Sequence, residues 1–158
     1  MIYAKCIHKE QIVTTKEEFE RRNGVEENAI YCVGQISVSQ SANLCSVPLN
    51  YIFCCLKYGD KIAIVDSSNT EYYLQEQYPS KSSYSDYAVE VEKQKIIQIL
   101  DITPTTVEFI FNQVKNPDLF PDNGYITNLE YVPFEVCKKY FELKGEPMPQ
   151  WVKNNQMV

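Results

Sequence analysis

A chain of 158 residues, 44% hydrophobic and 23% charged, has the size and composition of one globular domain. Its formal net charge of −6 excludes general affinity for nucleic acid or anionic membrane, which requires a surplus of Lys and Arg. The longest nearly unbroken apolar run, YIFCCL at 51–56, is far too short to span a bilayer.

In chain order, IYAKCIH at 2–8 reads as a strand. TTKEEFERRNG follows as a short helix that Thr15 and Glu18 open as a capping box and Gly24 closes. NAIYCVG and QISVS suggest two short strand segments around Gly34. SVPLNYIFCCLKYG predicts a helix over 46–58, with Ser46 as N-cap, Pro48 in the first turn and Gly59 past the end. DKIAIVD is a strand. Residues 67–86 turn polar and rich in Ser and Tyr, the pattern of a long surface loop. YAVEVEK and KIIQILDI read as two further strands.

In TPTTVEFIFNQVKN, Thr103 and Pro104 form a good helix start, and Val107, Ile110, Phe111 and Val114 share one helical face. NPDLFPDNG is turn-rich, and its Asp118 and Asp122 lack the alternating oxygen ligands of a calcium loop. YITNLEYV suggests a last strand and PFEVCKKYFELKG a helix ending at Gly145. The fold expected is α+β: a mixed or mainly antiparallel sheet of short strands packed by three to four helices, because period-two strands with polar faces disfavour a doubly wound parallel sheet. It should occupy residues 1–145 as a single domain, with 146–158 a Pro-broken tail.

Six Cys, at 6, 32, 45, 54, 55 and 137, are expected to be reduced thiols of a cytoplasmic protein, since MIYAKCIHKEQ carries no secretory pattern. Adjacent Cys54 and Cys55 point apart on a helix, so they suit neither a vicinal disulfide nor joint metal binding. Cys55 and Cys137 fall on apolar helical faces and are expected in the core; Cys54 flanks the polar stripe of Ser46, Asn50 and Lys57 and is expected in the core with part of it exposed. Cys6 and His8 lie two apart on a strand. Zinc would need further ligands from Cys32 and Cys45 at no recognisable spacing, so no metal and no cofactor are expected.

No Gly-rich phosphate loop, G-x-S-x-G or H-E-x-x-H occurs. Glu90 and Glu92 project to one side of a strand, as a general acid and base would, or as a solvated face does. The run of a capped helix into YGDKIAIVD, followed by strands and the Tyr-rich loop, is similar in outline to ADP-ribosyltransferase-like folds over about half the chain. That resemblance implies a nucleotide-cofactor enzyme, active or degenerate, with His8, Ser37 or Ser39, and Glu90 or Glu92 as catalytic candidates.

The leading expectation is different: a small acidic module that binds another protein, of the inhibitor, immunity-protein or phage-antagonist type. It touches neither nucleic acid nor membrane directly. Tyr72, Tyr73, Tyr78 and Tyr84 are the candidate contacts, because Tyr supplies rigid amphipathic area at modest entropic cost.

Overall fold

The computed structural model describes residues 2–40, 44–66, 78–79, 89–121 and 132–149, without the side chains of Tyr78, Pro79 and Val89. The strands are β1 (Tyr3–Ile7), β2 (Ile36–Val38), β3 (Leu44–Pro48), β4 (Lys61–Val65), β5 (Tyr78–Pro79), β6 (Val89–Val91) and β7 (Lys93–Asp101). The helices are α1 (Lys16–Arg22), α2 (Pro104–Val114), α3 (Phe134–Lys144) and a 3₁₀ helix at Leu49–Tyr58. The fold is α+β. All strand pairings are antiparallel, in the order β2-β7-β4-β1-β3-β6-β5, with two-residue β5 extending the edge of a six-stranded sheet.

This sheet cannot be flat. Only Glu92 separates β6 from β7, yet three strands lie between them in the pairing order. Strands four places apart in a flat sheet would be about 19 Å apart, at ~4.8 Å per place, whereas two residues of chain reach about 7 Å. The sheet therefore curls until β6 and β7 meet at Glu92. A side-chain bridge crosses the resulting hollow: Gln94 Nε2 on β7 donates to the Cys45 carbonyl on β3 at 3.2 Å.

Period-two alternation sorts the side chains. Ala4, Val47, Ile62 and Ile64 face outward onto the 3₁₀ helix, α2 and α3, in one core with Leu49, Ile52, Phe53, Cys55, Val107, Ile110, Val136 and Phe141. Phe111 stacks on Phe120 with centroids 3.8 Å apart, and Tyr140 meets Phe53 edge-on at 4.9 Å. Ile7, Leu44, Ala63, Val65, Val91 and Ile96 line the inner face, closed by Ala29 and Tyr31. Val13, Phe19, Ile30 and Cys32 form a third cluster around α1.

The Thr15 and Thr103 N-caps act as expected, but the capping box at α1 is only half made, because the Glu18 carboxylate accepts from Arg22 at 2.8 Å. Thr15 Oγ1 accepts from Glu18 N at 3.3 Å to open α1, and Thr103 Oγ1 accepts from Thr106 N at 3.2 Å to open α2, with Pro104 in the first turn. Lys139 pairs with Glu108 at 2.9 Å and ties α3 to α2.

Three expectations change. Ser46 is not an N-cap: it is buried within β3, paired with Val89. Hydrogen bonding to β6 and β1 outcompetes the helix there, and the helix begins only after Pro48, as 3₁₀ rather than α turns. Residues 29–35 do not form a strand. Tyr31 makes one parallel bridge with Ile12, and a turn closed by Gln35 N to Cys32 O intervenes before β2. Tyr78 belongs to edge strand β5, paired with Glu90 on β6, rather than to a loop. Tyr72, Tyr73, Tyr84, Asp122 and the strand expected in YITNLEYV lie outside the described residues. Met148, in the expected tail, packs half-buried against the core.

Candidate functional site

The helices cover only part of the outer sheet face. At the β2 edge, Ile36 lies opposite Lys95, so Ile97, two residues on along β7, is its diagonal neighbour on the same face. The β4–β7 register shifts at Ile64/Val65, where Val65 pairs with Ile96 but Ile64 pairs with Gln98. Ile97 is the extra residue of this bulge. Ile96 faces inward and is fully buried, whereas Ile97 is 49% exposed. Ile36 is 41% and Ile2 38% exposed. Ile2, Ile97 and Phe109 border a shallow, mainly apolar groove between β7 and α2 that also includes Leu49, Ile64, Gln98 and Gln113. Its volume is about 190 Å³. Isolated exposed aliphatics are ordinary, whereas neighbouring ones on a single sheet face, here bordered by Lys95, make a candidate contact surface.

The β2 edge itself is closed to strand addition. Asn23, just after α1, donates from Nδ2 to the Ile36 carbonyl at 3.0 Å and accepts from Val38 N at 3.0 Å. Its amide takes the place of a neighbouring strand, so a partner meets this region through side chains rather than by extending the sheet.

Inside the curl, Lys5 Nζ donates to Tyr31 Oη at 2.6 Å and to Gln94 Oε1 at 3.0 Å. Gln94 is fully buried and joins three strands, β7, β1 and β3. Buried polar groups that bond one another in this way order the strands around them.

The catalytic candidates occupy separate places. His8 is exposed just after β1, with its backbone N–H bonded to Gln11 Oε1 at 2.9 Å. Ser37 is buried, and its hydroxyl donates to the Ile30 carbonyl at 2.7 Å. Ser39 is half-buried just beyond β2. Glu90 Oε1 lies 3.7 Å from Cys45 Sγ across β3 and β6, while Glu92 is exposed at the bend into β7. Among the described residues, no hydrogen bond joins these five side chains into one array.

The cysteines are free. Burial pushes the Cys55 thiol up to about 12, those of Cys54 and Cys137 to about 11, and that of Cys6 well above its ordinary value. Such thiols stay protonated near neutrality and are poor nucleophiles. Among the described residues, no group of three or more His, Cys, Asp or Glu side chains could hold a metal ion. No described helix is long and apolar enough to cross a membrane.

Ile36 and Ile97 were not singled out by the sequence. The usable signal was the doubled isoleucine in KIIQILDI: adjacent residues on a strand face opposite ways, so one of Ile96 and Ile97 must point outward or sit at a bulge. Comparison of the chain with protein-family models, curated proteins and solved structures returns no match.

Proposed function

We propose that this chain is a protein-binding module that meets its partner through the uncovered outer face around Ile36, Ile97 and Ile2. The observation that carries the reading is the continuity of that surface, which sheet register establishes from Ile36 to Ile97 and the groove extends to Ile2 and Phe109. The partner is a protein with an apolar projection set among acidic groups, complementary to the lysines that border the patch, Lys95 opposite Ile36 and Lys93 opposite Val38. Because Asn23 occupies the β2 edge, the projection is a side-chain knob rather than an added strand. The tyrosines expected to make the contact contribute nothing to this reading, since none of their side chains is described.

The test compares wild type with the double variant Ile36→Glu/Ile97→Glu. Both side chains are less than half exposed, at 41% and 49%, so the variant should stay folded with only a modest fall in melting temperature. A partner captured by wild type from native extract, then purified, should bind the variant at least tenfold more weakly. Equal affinity in the folded variant removes this face from the interface.

A further inference from the structure

β1 and β3 pair only at Tyr3↔Pro48 and Ala4↔Val47. Extended by two residues, that antiparallel register sets Lys5 opposite Ser46 and Cys6 opposite Cys45. The ladder stops short of them. β1 continues with β4 as far as Ile7, and β3 pairs instead with β6 as far as Leu44. A cavity of about 130 Å³ occupies the opened seam. Alternation turns Lys5 into the curl, where it bonds Tyr31 and Gln94, and turns Cys6 and Cys45 to the outer face with Ala4 and Val47.

Cys6, Cys45 and Cys55 line the cavity. Cys55 is buried on the 3₁₀ helix, with its Sγ 3.8 Å from the Tyr51 carbonyl. Cys6 and Cys45 are each half-buried. Cys45 has a carboxylate in reach: its Sγ donates to Oε1 of Glu90, its cross-strand partner on β6, at 3.7 Å. A carboxylate so placed can take the thiol proton as the sulfur attacks. A cavity near the size of a benzene molecule admits hydrogen peroxide and excludes a bulky organic disulfide. Residues directly opposite in an antiparallel pair have Cα atoms about 4.5–5.5 Å apart, inside the range that a disulfide spans.

We propose that Cys6 and Cys45 are a peroxide-reactive dithiol: Cys45 attacks hydrogen peroxide with Glu90 as its base, and Cys6 resolves the product into a disulfide that closes the β1–β3 seam. In the first step the Cys45 sulfur bonds one peroxide oxygen as the O–O bond breaks. The thiol proton passes by way of Glu90 to the departing oxygen, which leaves as water, and Cys45 becomes a sulfenic acid. In the second step the Cys6 sulfur attacks that of Cys45, the S–O bond breaks, and the hydroxyl leaves with the Cys6 proton as a second water. Peroxide is reduced, two thiols are oxidised, and no further reactant is needed. Burial holds Cys6 protonated and so a poor nucleophile toward solutes, which suits the resolving role: its target is held opposite it by the register. The site lies beside the 3₁₀ helix, apart from the Ile36–Ile97 face, and does not depend on the protein-binding reading.

The test is titration of the reduced whole chain with hydrogen peroxide, followed by alkylation and peptide mapping by mass spectrometry without reduction. The expected product has lost the mass of two hydrogens and links the Cys6 and Cys45 peptides, and Cys45 reacts faster than free cysteine at the same pH. Cys6→Ser should instead leave a sulfenic acid on Cys45 that dimedone traps. Glu90→Gln should slow Cys45 oxidation at least tenfold, as loss of a general base does, whereas Glu92→Gln, at an exposed neighbour, should leave the rate unchanged. First reaction at Cys54, a disulfide that uses Cys55, a Cys45 no faster than free cysteine, or the wild-type rate in folded Glu90→Gln would overturn the assignment.

Discussion

Gly59 joins the 3₁₀ helix to β4 and lies directly against β1. Its backbone is extended, with φ 177° and ψ 169°, so alanine would suffer no conformational penalty of its own there. The cost of Gly59→Ala comes from space alone. A Cβ at this position would fall onto the backbone N, C and O atoms of Ile7. A flexible side chain could move aside, but this backbone is paired through Ile7↔Lys61 in the β1–β4 ladder and cannot yield without breaking it. Overpacking a dense interior costs typically 1–3 kcal/mol, and contact with fixed backbone belongs at the upper end, about 3 kcal/mol. For a domain of this length that is a drop of roughly 6–12 °C in melting temperature. Gly34→Ala is the matched control. It has φ +87° and nothing within 4 Å of the new Cβ, so it should cost only about 1 kcal/mol of left-handed strain. Scanning calorimetry of both variants measures the contrast. A Gly59→Ala protein that melts within 2 °C of wild type, or one more stable than Gly34→Ala, would refute the close approach of the two segments.

Gln94→Leu should destabilise by about 2–4 kcal/mol in chemical denaturation, because it strands the Cys45 carbonyl and one Lys5 donor inside the curl. Its effect and that of Lys5→Met should be far from additive, and simple additivity would deny the bridge. Asn23→Ala should cost about 1 kcal/mol and promote concentration-dependent association, because it bares the β2 edge; light scattering that shows a monomer unchanged from wild type would contradict the edge-capping role. The buried thiols set an alkaline limit. Cys55 has its folded value raised from 9.0 to about 12, so its contribution is complete below pH 9 and is lost as the pH climbs from 9 toward 12. Native Cys55 should therefore resist alkylation at pH 8 that modifies it quickly in urea, and fast native labelling would show that the 3₁₀ helix does not bury it.

Legibility followed the range of the interactions. The three α-helices were readable because their signals are local: Thr15 before KEEF, Thr103 before Pro104, and Gly145 after a run whose Val136, Cys137, Tyr140 and Phe141 share a face. The burial of Cys55 and Cys137 followed from the same periodicity. Ser46 misled because Ser-x-Pro looks like a helix start, while the force that holds it in β3 comes from Val89, forty-three residues away. The curl was hidden for the same reason. Nothing near Glu92 reveals that β6 and β7 pair with different neighbours, and the Lys5–Gln94 bond spans 89 positions of chain. The apolar outer face was half visible in the doubled Ile96–Ile97, but its extension to Ile36 needed the β2–β7 register.

The central claim, that the outer face around Ile36, Ile97 and Ile2 is the partner surface, is tested most directly by titrating the purified partner into isotopically labelled protein and mapping the perturbed methyl and amide resonances. The perturbations should centre on Ile2, Ile36, Ile97 and the Phe109–Gln113 flank of α2. A map that leaves these residues silent and falls instead on α3 or the exposed side of the 3₁₀ helix would contradict it.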